Sequence, residues 1–337
     1  MFRAFLIALL VILPHGMSRA QDIDIKAIVD DHILAGFATL EAATMDLEAA
    51  AQANCEAQDA PLRAAYSDAF DAWVRVSHLR FGPTERDDRG FALAFWPDSR
   101  GATPKGLSKL NAAEDPVVLS ADDFATESVA VRGFYAMEFL LFDPQLSAME
   151  PADYRCALVR AIATDMHRTA TALNSDWRDN YASLLRQAGQ NDTYRSETEA
   201  LQELFKALST GLQFTSESRL GRPLGTFDKP RPNRAEARRS GRSLRNVKLS
   251  LEGTKPLALA LSEASPETAE ALSAGYDQAF EAANALDDPV FASVSEPGGR
   301  FKVELVQQAL ERLRKVVSQE LGPQLGVAAG FNALDGD

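Results

Sequence analysis

Sulfur and imidazole are scarce in this chain: two cysteines and four histidines among 337 residues. Zinc fingers and ribbons, which need clusters of such ligands at short spacing, are excluded. No His-Glu-x-x-His occurs, so a zinc peptidase of that type is not encoded. A Gly-x-Ser-x-Gly nucleophile elbow is missing as well. The turn Gly221-Arg222-Pro223-Leu224-Gly225 carries a proline and an arginine where a phosphate cradle needs free backbone N–H groups. Alternating β-branched runs are absent, which argues against sheets. Past residue 20, no stretch approaches the roughly twenty apolar residues of a membrane span.

Positive charge is in deficit too. The chain carries 48 acidic and 35 basic residues, a net −13. That balance disfavours nucleic acid and anionic membrane surfaces as partners.

Residues 1–20 read as a secretory leader, with Arg3, an apolar run from Ala4 to Leu13, and Ser18-Arg19-Ala20 before Gln21. The alternative is a buried first helix. The leader implies a periplasmic chain, and no cysteine near the cleavage site offers a lipid anchor. Cys55 and Cys156 are then expected to be bridged, the alternative being two buried thiols.

What remains is helix-forming: Ala, Leu, Glu, Gln and Arg dominate long stretches. Helices are expected near 23–54, 60–80, 121–143, 151–174, 193–215, 233–251, 266–286 and 301–320, with start signals at Pro61, Pro151 and Ser265-Pro266. Leu62-x-Ala64-Ala65-Tyr66-x-x-Ala69-Phe70-Asp71-Ala72 resembles Leu272-x-Ala274-Gly275-Tyr276-x-x-Ala279-Phe280-Glu281-Ala282. This is either a duplication or chance similarity between two Ala-rich amphipathic helices. A repeat would make two equivalent bundles, divided near residue 190: residues 21–190 and 191–337.

The segment from Arg132 to Phe142 is apolar on every side, as a buried helix is. Arg132, Tyr135 and Glu138 nevertheless recur three apart on one face, and buried charges need partners. Arg132 is expected to orient the Glu138 carboxylate. A second unusual stretch, 219–248, holds ten basic residues against Asp228 and Glu236. On a helix from about 233, Arg234, Arg238, Arg242 and Arg245 would form one stripe. Such a stripe either pairs with the acidic majority or makes an anion-binding wall facing Glu138.

Gly133-x-Tyr135-x-x-Glu138 resembles the Gly-x-His-x-x-Glu signature of the imelysin family, bacterial periplasmic proteins implicated in iron uptake and also classed as peptidases. Here tyrosine stands where the family has histidine. Further resemblances cover Ser77 to Pro83, Phe91 to Asp98, Arg100 to Lys105, and Arg238 to Asn246. The resemblance implies an all-α fold of two four-helix bundles packed face to face. It also implies a role in binding or handling iron or an iron-related ligand, with an outer-membrane or periplasmic uptake protein as partner.

The residues expected at that site are Arg132, Gly133, Tyr135 and Glu138, followed by His78, Asp98 and Arg242. Tyr135 and Glu138 are the candidate metal ligands, because phenolate and carboxylate oxygens suit hard ferric iron better than zinc. Their alternative is a hydrogen-bonded buried network. No catalytic residue is assigned. The rival readings are an imelysin-type metallopeptidase, an anion or ferric-chelate binding module, and a scaffold docking a receptor.

Overall fold

The structure, a computed structural model, describes residues 23–327; the leader expected over residues 1–20 lies outside them. Its architecture follows from where the chain can and cannot continue a helix. Helix α1 (Ala35–Ala53) runs on from a wider, π-wound stretch, Ile28–Leu34. Asp59 accepts from the Leu62 amide at 2.9 Å and, with Pro61 in the first turn, opens α2 (Ala60–Val76). Asp98 caps α3 (Ala102–Ala113), a helix that periodicity does not announce. The buried segment is α4 (Gly133–Phe142), and α5 (Ala152–Asp176) follows Pro151. Past turns around residues 187–196, Ser196 caps α6 (Glu197–Gln213). Then come α7 (Ser243–Leu261), α8 (Pro266–Asn284) and α9 (Pro297–Val316). Among the described residues there is no strand, only an isolated bridge between Thr226 and Lys229.

Helices α1, α2, α4 and α5 pack together, as do α6 to α9; α2 also lies against α7, and the buried side chains of both halves form one continuous core. Phe70 of α2 stacks on Phe134 of α4, with centroids 4.7 Å apart, and both rings are fully buried. Each such ring contributes about 2–3 kcal/mol of apolar burial. The repeated frame buries equivalent positions: Leu62, Tyr66 and Ala69 in one half, Leu272, Tyr276 and Ala279 in the other. Cys55 and Cys156 form a disulfide with Cα atoms 5.2 Å apart, tying the α1–α2 loop to the start of α5.

Two expected helices are corrected. The helix expected over 121–143 is broken into Ala121–Phe124, a single turn at Val129–Val131, and α4, because Arg132 is extended and Gly133 has φ +71°. The helix expected from 233 begins at Ser243 instead. Residues 235–242 form turns, with Ala237 (φ +45°) and Gly241 (φ +73°) in left-handed conformations no helix accepts. The four-arginine stripe therefore does not exist on one helix.

A buried charge network and a divided cleft

Gly133 sits where α4 meets the short helix Arg89–Leu93. A Cβ there would lie 2.2 Å from the Leu93 carbonyl oxygen and 2.3 Å from that of Ala92. Glycine is required for close approach as well as for φ, so its role is architectural. Arg132 is corrected on the same grounds. Its extended backbone turns the guanidinium away from Glu138 and onto Asp165 of α5, with two hydrogen bonds of 2.8 Å; a third, 2.7 Å, reaches the Ala125 carbonyl. It clamps α4 to α5 rather than orienting the site.

Glu138 is 2 % exposed and accepts two hydrogen bonds at Oε1, from the Ser240 amide (2.9 Å) and hydroxyl (2.8 Å). Burial pushes its carboxyl above the usual range despite those donors. The Tyr135 hydroxyl donates to Glu236 Oε1 at 2.5 Å. Glu236 Oε2 accepts from Arg219 Nε at 2.8 Å, and Arg219 donates onward to Thr215 and Ser250, each at 3.2 Å. Tyr135, Glu236, Arg219, Thr215 and Ser250 are all buried. Burial, then the Glu236 charge, pushes the Tyr135 phenol well above its ordinary value, so it stays a neutral donor.

The other expected residues separate. His78 is buried, with Nε2 2.9 Å from Nε2 of His32 on the π-wound stretch. Burial lowers both imidazoles, His32 to about 4; the His32 charge adds to the effect on His78. Asp98 accepts from the amides of Ala102 (2.9 Å) and Thr103 (2.8 Å). Burial works to raise its carboxyl, but those amides outweigh it and hold it below the usual range. Arg242 is buried over the Phe70 ring, donating to Asp71 and to the Ser67 hydroxyl (2.5 Å), and ties α7 to α2.

Two cavities meet at Trp96, Pro97 and Tyr135. The first, about 480 Å³, is bordered by Glu138, Asp98, Arg222, Arg234 and Arg239. Arg239 pairs with Asp143 at 2.8 Å and covers the Phe139 ring. Arg222 and Arg234 form no ion pair among the described residues, and the buried Arg222 Nε has no acceptor. Burial, then the neighbouring Arg234 charge, lowers the Arg222 guanidinium. The second cavity, about 390 Å³, is bordered by His78, Trp73, Phe91 and Phe214. Arg132, Gly133 and Arg242 border neither.

The residues that periodicity missed are Glu236, Arg219, Ser240 and Asp165. Glu236 did leave a trace, as one of two acids in an otherwise basic run.

Two helical bundles with a buried charge network at their junction define the class of protein. The chain belongs to the imelysin family, whose model, described as peptidase M75, imelysin, matches residues 33–317. It is 25% identical over 323 residues to iron-regulated protein A of Synechococcus elongatus, covering 89% of this chain and 85% of that one. The fold is similar to an imelysin-like protein from Psychrobacter arcticum, with TM-score 0.78 and 19% identity over 93% of this chain and 97% of that one. It is also similar to a putative iron-regulated protein A precursor from Parabacteroides distasonis, with TM-score 0.75 and 14% identity over 91% and 94% of the chains.

Proposed function

We propose that this chain is a periplasmic, non-catalytic binding protein for an iron-related ligand, held as an anion in the divided cleft between the two bundles. The observation that carries this reading is Arg222, a half-buried guanidinium on the cavity wall whose Nε has no acceptor, with the exposed Arg234 beside it; neither forms an ion pair among the described residues. A guanidinium with unfilled donors at a cavity wall is stabilised by a bound carboxylate or phosphate. The names of the relatives supply the iron theme, and the leader read at residues 1–20 supplies the compartment.

A bare ferric ion fits these side chains less well. Tyr135 is held protonated by Glu236, and Glu138 already accepts twice from Ser240. Among the described residues, no three His, Cys, Asp or Glu side chains cluster as a metal site would require. Iron carried inside an anionic chelate asks only for the arginines. Hydrolysis would need a base free to activate water. Asp98, Glu138 and Glu236, the carboxylates around the first cavity and Tyr135, are each engaged by donors. The proposed recipient of the ligand is an uptake protein of the envelope.

Titrating the purified mature chain with ferric citrate tests the reading. Saturable binding, weakened at least tenfold in the Arg222→Gln/Arg234→Gln double variant with helicity unchanged, is expected. Binding of ferric iron without chelator, abolished by Glu138→Gln, would replace it with a bare-ion site.

A further inference from the structure

The two cavities differ in chemistry although they share Trp96, Pro97 and Tyr135. In the first, Arg222 and Arg234 form no ion pair among the described residues, although the carboxyl groups of Asp98 and Glu138 border the same space. In the second, the charges cancel locally: Arg80 pairs with Glu85, and Arg219 with Glu236 at 2.8 Å. Both chambers hold aromatic rings, Phe95 and Phe139 in the first and Trp73, Phe91 and Phe214 in the second, but only in the second are the charges set among the rings all paired already. Trp96 meets Phe214 edge-on at 5.8 Å, Arg219 covers Phe214 at 4.9 Å, and Arg80 covers Phe91 at 4.7 Å. Arg222 in turn lies 5.6 Å from the Trp96 ring, placing the anion-binding group against the shared wall. A dry apolar cavity of about 150 Å³ is enough for one benzene ring, so a chamber of about 390 Å³ has room for an aryl group.

We infer that the anion held by this cleft carries an aryl group: an arylcarboxylate, free or as its ferric chelate, with the carboxylate at Arg222 and Arg234 and the ring in the chamber of Phe91, Trp96 and Phe214. The inference rests on the cleft being the anion site proposed above. Aromatic rings attract one another edge-to-face and by offset stacking, and the paired charges of the second chamber leave nothing there for a second anionic group to neutralise.

Salicylate and lactate make the test, because both are small monoanionic hydroxycarboxylates and only salicylate has a ring. Calorimetric titration of the mature chain is expected to show salicylate binding at least tenfold tighter than lactate. Phe214→Ala should remove that preference and leave lactate unchanged. Phe91→Ala, at a position 42 % exposed and so harmless to the core, should reduce the preference several-fold; Arg222→Gln should weaken both ligands. Equal affinity for the two, or Phe variants that weaken both alike, would overturn the aryl assignment. Binding of ferric citrate with no binding of salicylate would also overturn it while leaving the anion site standing. Failure of all three ligands would remove both.

Discussion

The Tyr135 hydroxyl and the Glu236 carboxylate are hydrogen-bonded at 2.5 Å across 101 positions of sequence, from one half of the molecule to the other. The contact holds Tyr135 as a donor and leaves the second Glu236 oxygen to Arg219.

Tyr135→Phe should cost about 1–2 kcal/mol, since one hydrogen bond goes but Glu236 keeps Arg219. Glu236→Ala should cost about 3–5 kcal/mol, because it strands a buried guanidinium. Urea denaturation of both variants and of the double variant checks this. A Glu236→Ala cost no larger than that of Tyr135→Phe would contradict the network.

Gly133→Ala should be among the most damaging single changes, costing several kcal/mol. The new methyl would meet two backbone carbonyls that cannot rotate away, at a φ of +71°. Soluble yield and melting temperature report it; a variant that melts like the parent would refute the packing described.

Stability should fall with acid in a defined window. Burial lowers the folded pKa of His32 to about 4 from an ordinary value of 6.5, and His78 moves the same way. Between those values the unfolded chain binds more protons, so stability is fully present above about pH 6.5 and is lost as pH falls towards 4. His32 alone accounts for up to about 3 kcal/mol. His32→Gln should flatten the pH dependence of the denaturation midpoint over that interval.

Reduction, or Cys55→Ser, should cost about 4–5 kcal/mol in the chain-entropy model, because the bridge closes a loop spanning 101 positions. Thermal melts with and without reductant measure it, and coincident curves would contradict the prediction.

Arg242 and Arg222 should behave as opposites. Arg242→Ala breaks a buried pair with Asp71 and should lower stability by about 3–5 kcal/mol without a direct effect on ligand affinity. Arg222→Gln should weaken anion binding and barely move the melting temperature.

The helical fold is written locally. Proline and capping residues at Asp59, Ser196 and Pro266 open helices where their short-range chemistry says they should. The turns at 235–242 are not, because arginine and alanine are good helix formers and nothing local announces the positive φ of Ala237. Tyr135 and Glu138 stand out in the sequence as polar groups in an apolar helix. Their partners do not: Ser240 reaches Glu138 across 102 positions, a pairing no periodicity encodes. Arg132 and Arg242 draw attention for their charge, yet both pair with buried aspartates, Asp165 and Asp71, where they hold helices together.

The charges that cross between the bundles set how the molecule comes apart. Asp71 takes its arginines, and Tyr135 and Glu138 their partners, from beyond residue 230. Burial pushes Glu138 upward, and hydrogen bonds from Arg245 and Arg242 hold Asp71 below the usual range against the same pressure. Separating the halves would wet these groups together with the apolar faces around them, so neither bundle has a private equilibrium with its unfolded state. The two should melt as one cooperative unit, and a ligand seated at their seam should raise a single transition.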